Sequence, residues 1–167
     1  VRVATRETTE VMYIISHVVV ITIYIGILIF WGASVYDRII NKTIRRYLIT
    51  LVVLMMIWML MRTLRFTVFY HVFPVGQWCW YAYYIGMIFI PQVCLMAAKY
   101  IGKPEEYRLP KKWYLMYIPS FLLLAGILTN DLHQWAFRFH LGYKAGWDTY
   151  QHNFLYYATV VWIFACI

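Results

Sequence analysis

Apolar positions fall into four long runs, residues 11–36, 47–70, 78–98 and 113–129, and a fifth run, 154–167, reaches the chain end. Short polar segments separate them. A helix needs roughly 20 apolar residues to cross a bilayer core, and the first three runs meet that length. The fourth is slightly short, but Thr129 and Asn130 extend it into the interface. A water-soluble core has no use for four such runs in 167 residues. The pattern predicts an all-α fold: a polytopic transmembrane helical bundle occupying 1–167. The first run is too long for the apolar stretch of a signal peptide, and Glu7 and Glu10 precede it. The chain starts at Val1 and its last run stops at Ile167, so the expectation is a fragment of a protein that continues. Composition agrees, at 63% hydrophobic, 20% aromatic and 13% charged.

Charge changes the picture by giving the bundle a direction. Nine basic residues sit in the first and third loops: Arg38, Lys42, Arg45 and Arg46, then Lys99, Lys103, Arg108, Lys111 and Lys112. The other side holds four: Arg2, Arg6, Arg138 and Lys144. Basic loops stay in the cytoplasm, so the N-terminus is expected outside, with loops two and four. The net charge of +8 is therefore topological. It also serves anionic lipid, and no nucleic-acid partner is expected, although a specific lipid or nucleic-acid site is the alternative use of such loops. Trp78, Trp80, Tyr81, Tyr83 and Tyr84 crowd the outer start of the third helix, and Trp113, Tyr114 and Tyr117 the inner start of the fourth. Interfacial rings need no further role. The polar stretch 129–152 mixes apolar residues with Asp131, His133, Arg138, His140, Lys144, Asp148 and His152. It is expected to form a structured cap or hairpin over the bundle mouth.

Polar side chains inside the spans are the candidate site. Arg62 and Arg65 lie three residues apart in the outer third of the second helix, on a shared face. An arginine in hydrocarbon costs several kcal/mol unless it reaches a polar interior. The pair is read either as snorkelling toward headgroups or as the cationic floor of an outward-facing ligand pocket, with Asp131 as a further pairing option. His17 shares a stripe with Tyr13, Tyr24 and Trp31; an interhelical hydrogen bond is its ordinary role, and ligand binding or pH sensing the sharper one. Pro91 and Gln92 interrupt the third helix. They read as a kink with an interhelical bond, or as an element that transmits a signal.

No catalytic residues are expected. There is no nucleophile–base pair and no phosphate loop, and no Asp or Glu lies within a span, which counts against a proton-coupled transporter. His17, His71, His133, His140 and His152 all map to the outer half, yet their spacing supplies no metal motif, so no metal is expected. Cys79, Cys94 and Cys166 form neither a disulfide nor a metal framework. The methionines, clustered at Met55, Met56, Met59 and Met61, read as adaptable packing.

Residues 117–139 contain Ile118-Pro119, an apolar run, then Thr129-Asn130-Asp131-Leu132-His133. This resembles the Pro, apolar run, Thr-Asn-x-x-His pattern of the N-terminal seven-transmembrane-helix sensor region of bacterial histidine kinases. Phe89-Ile90-Pro91 and Gly102-Lys103-Pro104 resemble the same region, loosely across the whole chain. The resemblance implies a membrane-embedded sensory input domain of a two-component histidine kinase in the bacterial inner membrane. Helices six and seven and a cytoplasmic output domain follow in that family. It implies no cofactor in this piece, ATP and Mg in the kinase domain, a homodimer formed through the output domain, and a response regulator as partner. By matching positions, Thr129, Asn130 and His133 are the family's polar group at the outer end of helix four. The candidate ligand set is then Arg62, Arg65, His17, Asn130, Asp131 and His133, for an extracellular or lipophilic ligand. A helix-end cap is the structural reading of the same group.

Three other readings stand beside this one. The chain is part of a transporter or channel, or the same sensor region joined to a diguanylate cyclase, or an intramembrane enzyme using His133 and Asp131. Topology is directly testable. In a background lacking native cysteines, Lys144→Cys is expected to react with a membrane-impermeant maleimide from the medium while Lys42→Cys stays protected. The reverse pattern refutes the orientation.

Overall fold

The computed structural model describes residues 2–69, 72, 74–139 and 150–167; the side chains of 2–10, 13 and 14 lie outside that description. Its elements are α1 (Arg2–Arg38), α2 (Lys42–Thr63), a π-helical turn (Leu64–Val68), α3 (Val75–Tyr100), a 3-10 helix (Lys111–Met116), α4 (Tyr117–Leu128), α5 (Asn130–His133), β1 (Phe137–Phe139), β2 (Tyr150–His152) and α6 (Phe154–Ala165). Three segments are long and apolar enough to cross a membrane: Ile15–Arg38, Lys42–Val68 and Val75–Tyr100.

Element boundaries shift from the apolar runs where capping chemistry outweighs hydrophobicity. The second helix begins at Lys42, not at 47, because the Asn41 side chain accepts from the amides of Thr43 and Ile44 at 3.0 and 3.2 Å. That satisfies two of the donors a helix start leaves open. The third helix starts directly after Pro74 and runs unbroken through Pro91. The fourth run resolves into the 3-10 helix, α4 and α5, so helical backbone extends well past its apolar core.

The bundle is organised around α3. About half of its span is buried, against about a tenth for each of the first two spans. Helix α2 packs between α1 and α3, and α3 also packs on α4 and α6. The many exposed Val and Ile side chains of α1, with Phe30, are what a lipid-facing helix presents.

Two cores form along α3. One, at the end carrying the strands (the ribbon end), joins Trp80, Tyr84 and Ile88 to Ile127 and to Phe137 and Phe139 of the ribbon. The other, toward loops one and three (the basic end), contains Met96, Tyr100 and Leu109. Within the stretch expected to form a cap, the described residues hold two strands: β1 and β2 pair antiparallel, with Phe137 opposite His152 and Phe139 opposite Tyr150, while 140–149 lie outside the described residues. Strand alternation turns Phe137 and Phe139 inward and Arg138 outward. Phe137 is wholly buried, 4.5 Å from the Trp80 ring and 5.5 Å from Tyr150, the latter edge-on. This corrects the interfacial reading of Trp80, Tyr81 and Tyr84, which are core residues, because the ribbon occupies the face that lipid was expected to cover. Trp78, by contrast, is exposed.

Asn130 fixes the ribbon. Its Oδ1 accepts from the amides of Ala136 and Phe137 at 2.9 and 3.0 Å, and its Nδ2 donates to the Phe137 carbonyl at 3.0 Å. Gln134 turns the chain between them with φ of 52°. Asn153 clamps the return: its Oδ1 caps α6 through Phe154 N, and its Nδ2 donates to Gln134 O at 3.1 Å.

Two predictions test this packing. A Cβ at Gly86 meets Trp58 Cβ at 2.5 Å, while one at Gly26 meets nothing within 4 Å. Gly86→Ala is expected to destabilise the protein by about 1–3 kcal/mol in denaturant titration, since the clash falls on an inflexible atom. Gly26→Ala is expected to be neutral or slightly stabilising. Asn130→Ala strands two buried amides and a carbonyl, and a loss of about 2–4 kcal/mol is expected.

Candidate functional site

The six expected ligand residues divide into separate groups. His17 and Arg62 come together. They line a groove of about 380 Å³ between α1 and α2, with Val20, Ile21, Met59 and Phe66 as apolar walls. Arg62 is exposed into this groove, and its guanidinium carbon lies 5.7 Å from the Trp58 ring centre. Ser16 Oγ lies 3.5 Å from His17 Nδ1. Of the expected aromatic stripe, Tyr24 and Trp31 are exposed, and the Tyr13 side chain lies outside the described residues.

Arg65 goes elsewhere. It is 4% exposed, in a turn that packs against α3, and its guanidinium carbon lies 5.2 Å from the Phe66 ring. A shared face for Arg62 and Arg65 was the expectation, and the structure corrects it. The helix changes form between them: from Leu64 it is π-helical, with Phe69 N donating to Leu64 O at 2.8 Å. Thr67 Oγ1 donates to Thr63 O at 2.7 Å beside the wider turn. Such turns recur at functional sites, and nothing in the apolar pattern marks this one.

Asp131 pairs with neither arginine among the described residues. Its Oδ1 accepts from Tyr81 Oη at 2.7 Å and from Gln77 Nε2 at 2.9 Å. Tyr81 Oη also accepts from Asn130 Nδ2 at 3.3 Å, closing a four-residue network between α3 and α5. Gln77 and Tyr81 were missed in the sequence. Their spacing of four places both on one face of α3, but nothing in the sequence says that this face meets α5.

His133 closes the end of α4. Its Nδ1 accepts from the Trp135 amide at 3.0 Å, which puts the ring proton on Nε2. That nitrogen lies 3.2 Å from Thr129 Oγ1, and the Thr129 hydroxyl donates to Ala125 O at 2.7 Å. Thr129, Asn130 and His133 thus act as a helix-end and ribbon clamp. His71, His140, Lys144 and Asp148 lie outside the described residues.

The Pro91–Gln92 position links three helices. Gln92 is wholly buried, and its Oε1 accepts from Ser120 Oγ of α4 at 2.6 Å. Ser120 Oγ in turn accepts from Trp162 Nε1 of α6 at 2.8 Å. Pro91 has no amide hydrogen, so α3 is locally softened one residue before this junction. The three cysteines are free, and no cluster with metal-binding composition occurs among the described residues.

No match is found among curated proteins or among solved structures. The family model for the N-terminal seven-transmembrane region of histidine kinases matches residues 14–167, nearly the whole chain, including all the elements that build the groove, the ribbon clamp and the Gln92 junction. The chain therefore belongs to the family of N-terminal seven-transmembrane regions of histidine kinases.

Proposed function

We propose that this chain is the sensory input region of a bacterial two-component histidine kinase, multi-pass in the inner membrane, passing an extracellular or membrane-dissolved signal to a cytoplasmic output domain. The family match over residues 14–167 carries this reading. The ligand site is the groove between α1 and α2. Arg62 and His17 supply polar contacts at its wall, and Met59, Val20 and Phe66 supply an apolar bed. That combination fits an amphipathic ligand with an acidic head and an apolar body.

Transmission follows from how α2 is built. A ligand on Arg62 bears on the residues directly before the π turn. Arg65, inside that turn, bears on α3. Helix shifts of an ångström or two at this contact would reach the Gln92–Ser120–Trp162 junction and so move α4 and α6 together. A ligand needs only a differential affinity of about 1–2 kcal/mol for one packing to change the population ratio roughly 5- to 30-fold. The asparagine clamp and the Asp131 network hold the ribbon end still while this happens. The output domain binds ATP with Mg, dimerises, and passes phosphate from its histidine to a response regulator.

The segment encoded after Ile167 decides the class. Two further spans followed by a histidine-bearing dimerisation helix and an ATP-binding domain are expected, and six or more further spans without them refute the reading. A diguanylate cyclase domain in that place keeps the sensor but replaces the output. In proteoliposomes the full-length protein is expected to form phosphohistidine from labelled ATP. Gln92→Leu is expected to change that rate severalfold with membrane insertion intact, and an unchanged rate removes the junction from the signalling path.

A further inference from the structure

At the basic end a second cavity, about 590 Å³, lies between α2, the end of α3 and the third loop. Its volume is in the range of small-ligand sites, roughly 300–1,000 Å³. Four charged side chains line it: Arg46 from α2, and Glu105, Glu106 and Arg108 from the loop. Among the described residues none of these four forms an ion pair.

The wall behind them is well fixed. Tyr100 is buried, with its ring 5.6 Å from Tyr47 and 5.9 Å from Tyr107. Its hydroxyl accepts from the Leu109 amide at 3.4 Å, tying the loop to the end of α3. A turn closed by Tyr107 N donating to Pro104 O at 3.0 Å presents the two glutamates. The mouth adjoins the α2 segment long and apolar enough to cross a membrane. Thr50, exposed one turn further into the α2 span than Arg46, and the exposed Tyr114 both line it.

Two cations and two anions in one cavity, unpaired with each other, select against any ligand of a single sign. A bare anion meets two carboxylates, and a bare cation meets two guanidiniums. A group holding a phosphate and an ammonium a few atoms apart satisfies both. Guanidinium forks suit phosphate. Carboxylates beside tyrosine rings suit a primary ammonium. We propose that this cavity binds the phosphoethanolamine headgroup of a zwitterionic phospholipid, with its phosphate on Arg46 and Arg108 and its ammonium toward Glu105 and Glu106. The lipid source, rather than a soluble phosphoethanolamine, follows from the position of the mouth among span residues. This assignment is independent of the sensor reading.

Native mass spectrometry of the full-length protein, released from vesicles of equal phosphatidylethanolamine, phosphatidylglycerol and phosphatidylcholine, tests it. At least threefold enrichment of phosphatidylethanolamine is expected. Arg46→Gln combined with Arg108→Gln should remove that retention. Glu105→Gln combined with Glu106→Gln should turn the preference toward phosphatidylglycerol, a change in selectivity that unfolding does not produce. Equal retention of the three lipids by the unmodified protein, or an unchanged preference in the glutamate variant, overturns the proposal. Displacement of the lipid by an equimolar amount of soluble glycerophosphoethanolamine overturns the lipid source.

Discussion

Hydrocarbon offers no hydrogen bonds, so the polar side chains on α3 must be matched from inside the protein. Gln77, Tyr81 and Gln92 carry that demand. Asp131 answers the first two, and Ser120, with Trp162 behind it, answers the Gln92 carbonyl, while the Gln92 amide nitrogen stays buried without a hydrogen-bond partner among the described residues. The two matches come from different levels, Asp131 on α5 and Ser120 on α4. Together they help set how α4, α5 and the ribbon lie along α3. Phe137 can fill its aromatic seat only because Asn130 holds the strand at the right height.

The opposite side of α2 is built differently. Helix α1 meets α2 through apolar side chains and a groove, with much less burial than α3. A more buried half (α3, α4, α6 and the ribbon) therefore stands beside the largely exposed α1, with α2 between them. The π turn lies where the two arginines part, one toward each half.

Much of the fold was legible in the pattern of residues. Runs of apolar residues longer than a bilayer is thick have one stable solution, and the helices at Ile15–Arg38, Lys42–Val68 and Val75–Tyr100 are that solution. The mixed stretch after Thr129 was legible as a cap because Phe137 and Phe139 alternate with a charge. The polar motif Thr129-Asn130 with His133 could be located but not interpreted. Its work is hydrogen bonding to Ala125, Ala136 and Phe137 backbone, and backbone partners leave no mark in a sequence. The partnership of Asp131 with Gln77 and Tyr81 spans 54 and 50 residues and depends on which face of α3 turns inward. The aromatic cluster at Trp80, Tyr81 and Tyr84 reads equally well as an interfacial belt or as a core, and only the ribbon lying on it decides.

Membrane residence and the three long spans were legible from hydrophobic length alone, because the energy of burying an apolar run in lipid is a local sum that needs no knowledge of neighbours. The charge of each loop is local in the same way. Which buried polar groups meet, and which of two neighbouring arginines faces a groove and which a helix, were settled by packing. Those outcomes depend on helix rotation and on the one extra residue in the π turn, and rotation is set by contacts between segments far apart in the chain.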